Sequence, residues 1–144
     1  MYRGQRPHIL ARMINRMWAT VASSGRTANL GMETLEVTGR TSGRTISLPI
    51  VVLVVEGRRY LVSMLGDNVQ WVKNVRASDG RATLRSGRRE SIRLEEVPAD
   101  QRAPILRAYL RHAPGARPHM PVSKDAPLSE FEKVAGAYPV FRLA

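Results

Sequence analysis

Between Ile46 and Val55 the chain carries a long β-branched and apolar run broken only by Pro49, followed at once by Glu56-Gly57-Arg58-Arg59 and a second apolar run, Tyr60–Met64. Side chains branched at Cβ favour extended backbone, and a short Gly-containing break between two such runs reads as a hairpin turn. This part of the chain is therefore committed to antiparallel sheet. A second hairpin follows the same logic: Arg81–Arg85, the turn Ser86-Gly87-Arg88, and Glu90–Val97, with Ala82, Leu84, Ile92 and Leu94 on one face and charges on the other. Thr34–Thr38 alternates enough to add a strand before the first hairpin, and Tyr138–Leu143 supplies a last one.

Helical patterns lie in the connections. The stretch from about Asn68 to Ala77 reads as helix, with Asp67 or Asn68 able to cap it and with Lys73 and Arg76 toward its negative end. Pro98–His112 reads as helix reset near Pro104, with Ile105, Leu106, Tyr109 and Leu110 on one face. Ser129 and Glu132 have the spacing of a capping box for a short third helix. Residues 23–31 read as a small-residue linker and Ala113–Leu128 as a Pro-rich loop. With no repeat or boundary, residues 1–144 are expected to form one mainly β, α+β domain. About six antiparallel strands with helices at their connections suggest a small barrel.

Ahead of this lies an amphipathic helix over about 7–22. Pro7 opens it, and Ile9, Leu10, Met13, Ile14, Met17, Trp18 and Val21 share one face while Arg12, Asn15 and Arg16 interrupt the other. Such a stripe packs on its own core or lies peripherally on a membrane. No run reaches the roughly 18–20 apolar residues of a membrane span.

The chain contains no Cys, which excludes disulfides, thiolate nucleophiles and Cys-bound metals and suits a cytoplasmic location. Lys and Arg total 23 against 12 Asp and Glu, a net charge of +11, and nearly all of that charge is Arg. Arg favours bidentate contacts to phosphate and carboxylate. Nucleic acid is not the expected partner, because the few aromatics fall in apolar-patterned segments rather than among the basic residues.

Two turns carry the functional argument. At Thr38-Gly39-Arg40-Thr41-Ser42-Gly43-Arg44, glycines, hydroxyls and guanidiniums could converge on an anion, although alone this is also an ordinary polar hairpin loop. At Gly66-Asp67-Asn68 a strand feeds a helix N-terminus, a second ready anion site, with Trp71 and Asn74 three apart on one helix face. Together they suggest a phosphate-bearing cofactor. His8, His112 and His119 have no ligand-like spacing, and there is no nucleophile elbow, Walker loop or dinucleotide fingerprint. An enzyme built this way takes its chemistry from a cofactor.

The pattern T-G-R-x-S-G at Thr38–Gly43, Pro49 in the next strand, and G-D-N-x-x-W-V-x-N-V at Gly66–Val75 resembles the deazaflavin-dependent nitroreductase family of actinobacteria, split β-barrel proteins that bind coenzyme F-420. The resemblance runs from about Leu35 to Val97, and Arg117-Pro118-His119 and Tyr138-Pro139-Val140-Phe141 are similar to one branch of it. It implies that Arg40, Thr41, Ser42 and Arg44 bind the cofactor's phosphate and oligoglutamate tail. Met64, Leu65 and Gly66, with Asn68 at the helix start, would line phosphate and ring. Trp71 and Asn74 match positions near the cofactor, and Pro49 the proline beneath the ring. The implied reaction is hydride transfer from the reduced deazaflavin to a small-molecule acceptor (a quinone, nitro compound or enone), with Tyr138 or a water handling the proton. Barrels of this kind often form homodimers. Many family members carry Lys or Arg where Thr41 stands and Arg where Ile46 stands, and a Lys-Gly-Gly turn where this chain has Leu65-Gly66-Asp67. The alternatives are an FMN-binding split-barrel oxidoreductase and a non-enzymatic binder of deazaflavin or other anions.

Overall fold

The computed structural model describes residues 28–144. The helix expected over 7–22 lies outside the described residues. Six strands, β1 (Ala28–Thr38), β2 (Thr45–Val55), β3 (Arg58–Val62), β4 (Arg81–Ser86), β5 (Arg88–Glu96) and β6 (Val140–Leu143), close an antiparallel barrel in the order β1-β2-β3-β6-β5-β4. The expected fold class is what forms. Helix α1 (Gln70–Ala77) follows β3, while α2 (Ala103–His112) and α3 (Leu128–Val134) lie between β5 and β6.

The period-2 pattern of β2 explains the layering. Ile50 and Val52 face the barrel interior with Leu35, Val37, Leu61, Leu84, Ile92, Leu94, Phe141 and Leu143. Leu53 and Val55 face outward, where Ile105, Leu106, Tyr109 and Leu110 of α2 and Phe131 of α3 cover them. Because both faces of β2 are buried, its sequence reads as a continuous apolar run rather than an alternation. Val72 and Val75 of α1 are buried in the interior cluster, so this helix plugs the barrel. Each such residue contributes about 1.5–3 kcal/mol when fully buried.

Several boundaries differ from expectation. β1 starts at Ala28, taking in part of the expected linker, because its full length pairs with β2 from Ala28↔Val55 to Thr38↔Thr45. The returning strand is Arg58–Val62 and not Tyr60–Met64, since Glu56 and Gly57 alone make the turn, at φ 51° and 77°. That is a two-residue turn of the kind that matches strand twist. The segment expected as one helix from Pro98 divides into a 3₁₀ turn at Ala99–Gln101 and α2. A 3₁₀ turn, Pro114–His119, also breaks the Pro-rich loop, and β6 begins at Val140.

Both expected caps are absent. Val69 is the N-cap of α1, with no side-chain cap bond, and Asp67 instead accepts a 2.8 Å hydrogen bond from Arg76. Pro127 is the N-cap of α3, which places Ser129 inside the first turn and out of capping position.

Candidate active site

Pro49 lies where the barrel opens. β2 pairs with β3 only over Val52–Val55, so at Pro49 it has one neighbour, β1, through the Thr34↔Pro49 register. A residue without an N–H is tolerated where one strand edge is unpaired. Beyond Val62 the chain leaves the sheet, turns through Ser63–Asn68 and enters α1. Between the free edge of β2 and this departing segment lies a groove of about 330 Å³, lined by Met32, Leu48, Pro49, Ile50, Val51, Val62, Ser63, Met64, Leu65, Val69, Trp71 and Tyr109. Its walls are almost wholly apolar, and Met32 and Leu65 at its rim are 67% and 66% exposed. Trp71, partly buried, packs its ring 5.6 Å from that of Phe141 at 56°, so the barrel core fixes the indole.

The wall made by Ser63–Gly66 is a tight turn. The Gly66 N–H donates to the Ser63 carbonyl, the Ser63 hydroxyl donates back to the Gly66 carbonyl, and the Ser63 N–H donates to Pro139. Gly66 sits at φ 103°, a conformation L side chains rarely adopt. A second concavity, of about 300 Å³, shares Met64 and Leu65 with the groove and adds Gly66, His119, Ala137 and Tyr138. Here the Tyr138 hydroxyl donates to the His119 carbonyl at 3.0 Å.

Behind this wall runs a buried charge network that sequence reasoning missed. Glu96, at the end of β5, accepts from Nε and Nη2 of Arg76 and from Nη2 of Arg102. Arg102 also donates to the carbonyls of Val97, Ala135 and Tyr138. The hydrogen bonds to Glu96, then that to Asp67, raise the pKa of Arg76, and Asp67 is lowered chiefly by Arg76. The network joins α1, the Asp67 turn, β5 and the Tyr138 segment. Its partners are 5 to 36 residues apart in sequence, so local spacing carries no signal for it.

At the β1–β2 turn the expected anion nest does not form. The Gly39 N–H donates to Arg44 and that of Gly43 to Gly39, while the Arg44 N–H donates to the Ser42 hydroxyl oxygen. The Arg40 N–H and its Nη1 both donate to Asn74 Oδ1, at 3.0 and 2.8 Å, and Nη2 donates to Gln70 Oε1 at 2.9 Å. Asn74 is only 2% exposed. It belongs to the packing of α1 and is not open to a ligand, although it shares the helix with Trp71. Thr41, Ser42, Arg44 and Asn68 are all exposed.

The structure thus gathers Pro49, Met64, Leu65 and Trp71 into one groove and sets Gly66 and Tyr138 beside it. Thr41, Ser42 and Arg44 lie at the turn that begins β2; five residues at ~3.3 Å each separate Arg44 from Pro49 by roughly 17 Å along the strand.

A profile described as F420H(2)-dependent quinone reductase matches residues 10–128. The chain belongs to that family. It is accordingly an oxidoreductase, with coenzyme F-420 as its cofactor. Nothing among curated proteins matches the chain. Among solved structures, an F420-H2 dependent reductase, FDR-A, is 15% identical over 78% of this chain and 93% of its own, with a TM-score of 0.54. A structure described as a domain-swapped dimer is 14% identical over 92% of this chain and 98% of its own, at 0.56. A heme binding protein from Mycobacterium smegmatis is 17% identical over 90% of this chain and 50% of its own, at 0.52. At these identities the likeness is one of fold.

The groove fits the family's cofactor. An open slot with apolar walls, closed on one side by an indole held in place and on another by a proline, suits a flat ring system. Arg44, just ahead of the same strand, is exposed. The matched span ends before Tyr138, so family membership alone assigns that residue nothing.

Proposed function

We propose that this F420H(2)-dependent quinone reductase family member reduces a flat, weakly polar acceptor, a quinone first and nitro compounds or enones by the same chemistry. The observation that carries the reading is the apolar groove between the free edge of β2 and the Ser63–Gly66 turn, with Pro49 and Trp71 in its walls. Reduced coenzyme F-420, when bound there, supplies the hydride, and a proton from solvent or a side chain completes quinone reduction to the quinol.

The chain's own contribution is positional. Pro49 and Trp71 flank the ring, and the Met64–Leu65 ridge, shared by the groove and the second concavity, excludes water where the two meet. The second concavity is the acceptor's place. Its Tyr138 hydroxyl hydrogen is directed at the His119 carbonyl, so Tyr138 passes a proton to an acceptor only by releasing that bond. The acceptor is a small molecule meeting the groove from its open side.

The test is a titration with coenzyme F-420 and, separately, FMN, followed by anaerobic turnover with a soluble quinone. Saturable F-420 binding with quinone-dependent oxidation of the reduced cofactor supports the reading. Tight FMN binding without F-420 binding sinks it.

A further inference from the structure

Arg40 reads from sequence as an anion ligand, yet although it is exposed its polar atoms are engaged by α1. Its backbone N–H and its guanidinium meet the same oxygen, Asn74 Oδ1, and the other arm of the guanidinium holds Gln70. Asn74 and Gln70 lie on α1, as does Trp71, so the helix that places the indole in the groove wall is tied by Arg40 to the head of β2. A buried amide oxygen with two donors from one residue is a fixed point; truncating the side chain leaves it only the backbone N–H and frees Gln70, which loosens the tie without abolishing it. The rest of the turn brings little charge: Thr41 is neutral, Ile46 is apolar and 41% exposed, and the Gly39, Gly43 and Arg44 amides are engaged within the turn. Arg44 is exposed and forms no ion pair among the described residues.

We propose that Arg40 is a positioning residue that latches α1, and with it Trp71, against the β1–β2 turn, and that of the two arginines of this turn it is Arg44 that serves the anionic tail of the cofactor. The second half rests on the F-420 reading; the first does not. Cofactor affinity in this chain then comes mainly from the ring in the groove, and a tail-less deazaflavin riboside binds nearly as well as the full cofactor.

The experiment has one readout without ligand and one with it. In a Trp18→Phe background Trp71 is the sole tryptophan, and acrylamide quenching reports its accessibility. Arg40→Ala and Asn74→Ala should each raise quenching, non-additively in combination, whereas Arg44→Ala should leave it unchanged. Gln70→Ala, which removes only an exposed partner, should give a smaller rise and covers the case in which Arg40→Ala fails to fold. Unchanged quenching in both Arg40→Ala and Gln70→Ala overturns the latch whether or not any cofactor binds.

With ligand, Arg40→Ala should weaken coenzyme F-420 and its tail-less riboside by the same factor, roughly three- to tenfold, for the loss of the two guanidinium hydrogen bonds that hold α1. The salt dependence should stay as in the parent. Arg44→Ala should weaken only the full cofactor, by no more than the small margin that separates it from the riboside, and flatten its salt dependence. If Arg40→Ala instead spares the riboside while weakening F-420 and flattening the salt dependence, Arg40 is a tail ligand and the proposal fails. A parent protein that binds neither compound refutes the F-420 reading and the Arg44 assignment, and the quenching result still decides the latch.

Discussion

The guanidinium of Arg76 closes on the carboxylate of Glu96 with hydrogen bonds of 3.0 and 2.6 Å, and Arg102 adds a third of 3.2 Å. Glu96 and Arg102 are 5% and 4% exposed, so the pair is out of water and each charge depends on the other. Removing one partner of such a pair costs about 3–5 kcal/mol, because the charge left behind is buried and uncompensated. Glu96→Gln should therefore lower the urea midpoint of unfolding with the slope unchanged, by an amount at the lower end of that range since the amide keeps one acceptor. The exposed pair Lys133–Glu130 is the contrast: Glu130→Gln should change stability by less than about 1 kcal/mol.

Gly80 gives a second prediction. It ends the α1 connection at φ 85°, and its N–H donates to Val75 while its carbonyl accepts from Leu94. A Cβ at this position would run into the Leu94 carbonyl, which is backbone and cannot swing away. Gly80→Ala should cost roughly 2–4 kcal/mol from left-handed strain and overpacking together. At Gly31, in β1, a Cβ meets nothing within 4 Å, and Gly31→Ala should be neutral or stabilise by ~0.5 kcal/mol. Thermal unfolding of the two variants side by side checks both.

What the chain states openly are features with a short period. The two hairpins and the buried face of α2 were legible because sheet and helix repeat every two and 3.6 residues, as Leu84, Ile92 and Leu94, and then Ile105, Leu106, Tyr109 and Leu110, show. The groove was half legible: Pro49, Trp71 and the Met64–Gly66 turn were nameable, and they meet because β3 ends at Val62 and leaves the β2 edge at Pro49 unpaired. Three features were not. The caps failed because Asp67 has a stronger partner in Arg76 than the helix start offers. Asn74 was expected near the cofactor and is buried, since α1 plugs a barrel whose closure no local pattern reveals. The tie between Arg40 and Asn74 was hidden for the same reason, the two lying 34 residues apart.

Acid should unfold the protein earlier than its apolar core alone would suggest. Hydrogen bonds from Arg89, then Arg85, hold Glu36 below its ordinary 4.5; Arg59 does the same for Glu90, and Arg76 holds Asp67 below 3.8. Each group binds protons less readily folded than unfolded, so its contribution is complete above the ordinary value and is lost as pH falls through the lowered one. Urea midpoints should be flat from pH 7 to about 5 and then drop below about 4.5. Glu36→Gln should shallow that drop, and a drop of unaltered steepness would remove Glu36 from the account.

Leu65 offers the cleanest separation of binding from stability. It stands 66% exposed on the ridge shared by the groove and the second concavity. Truncating an exposed side chain changes stability by about 0.5 kcal/mol or less. If ring and acceptor meet across this ridge, both cover Leu65 on binding, and burying a leucine is worth about 1.5–3 kcal/mol when complete. Leu65→Ala should keep the parent melting temperature yet raise the dissociation constant for the cofactor or the KM for the quinone up to roughly tenfold, corresponding to partial burial. Leu65→Asp should do more, since the ligand would then have to desolvate a carboxylate. Were both variants to bind and turn over like the parent, the ridge would lie outside the contact and the acceptor would have to enter elsewhere along the groove.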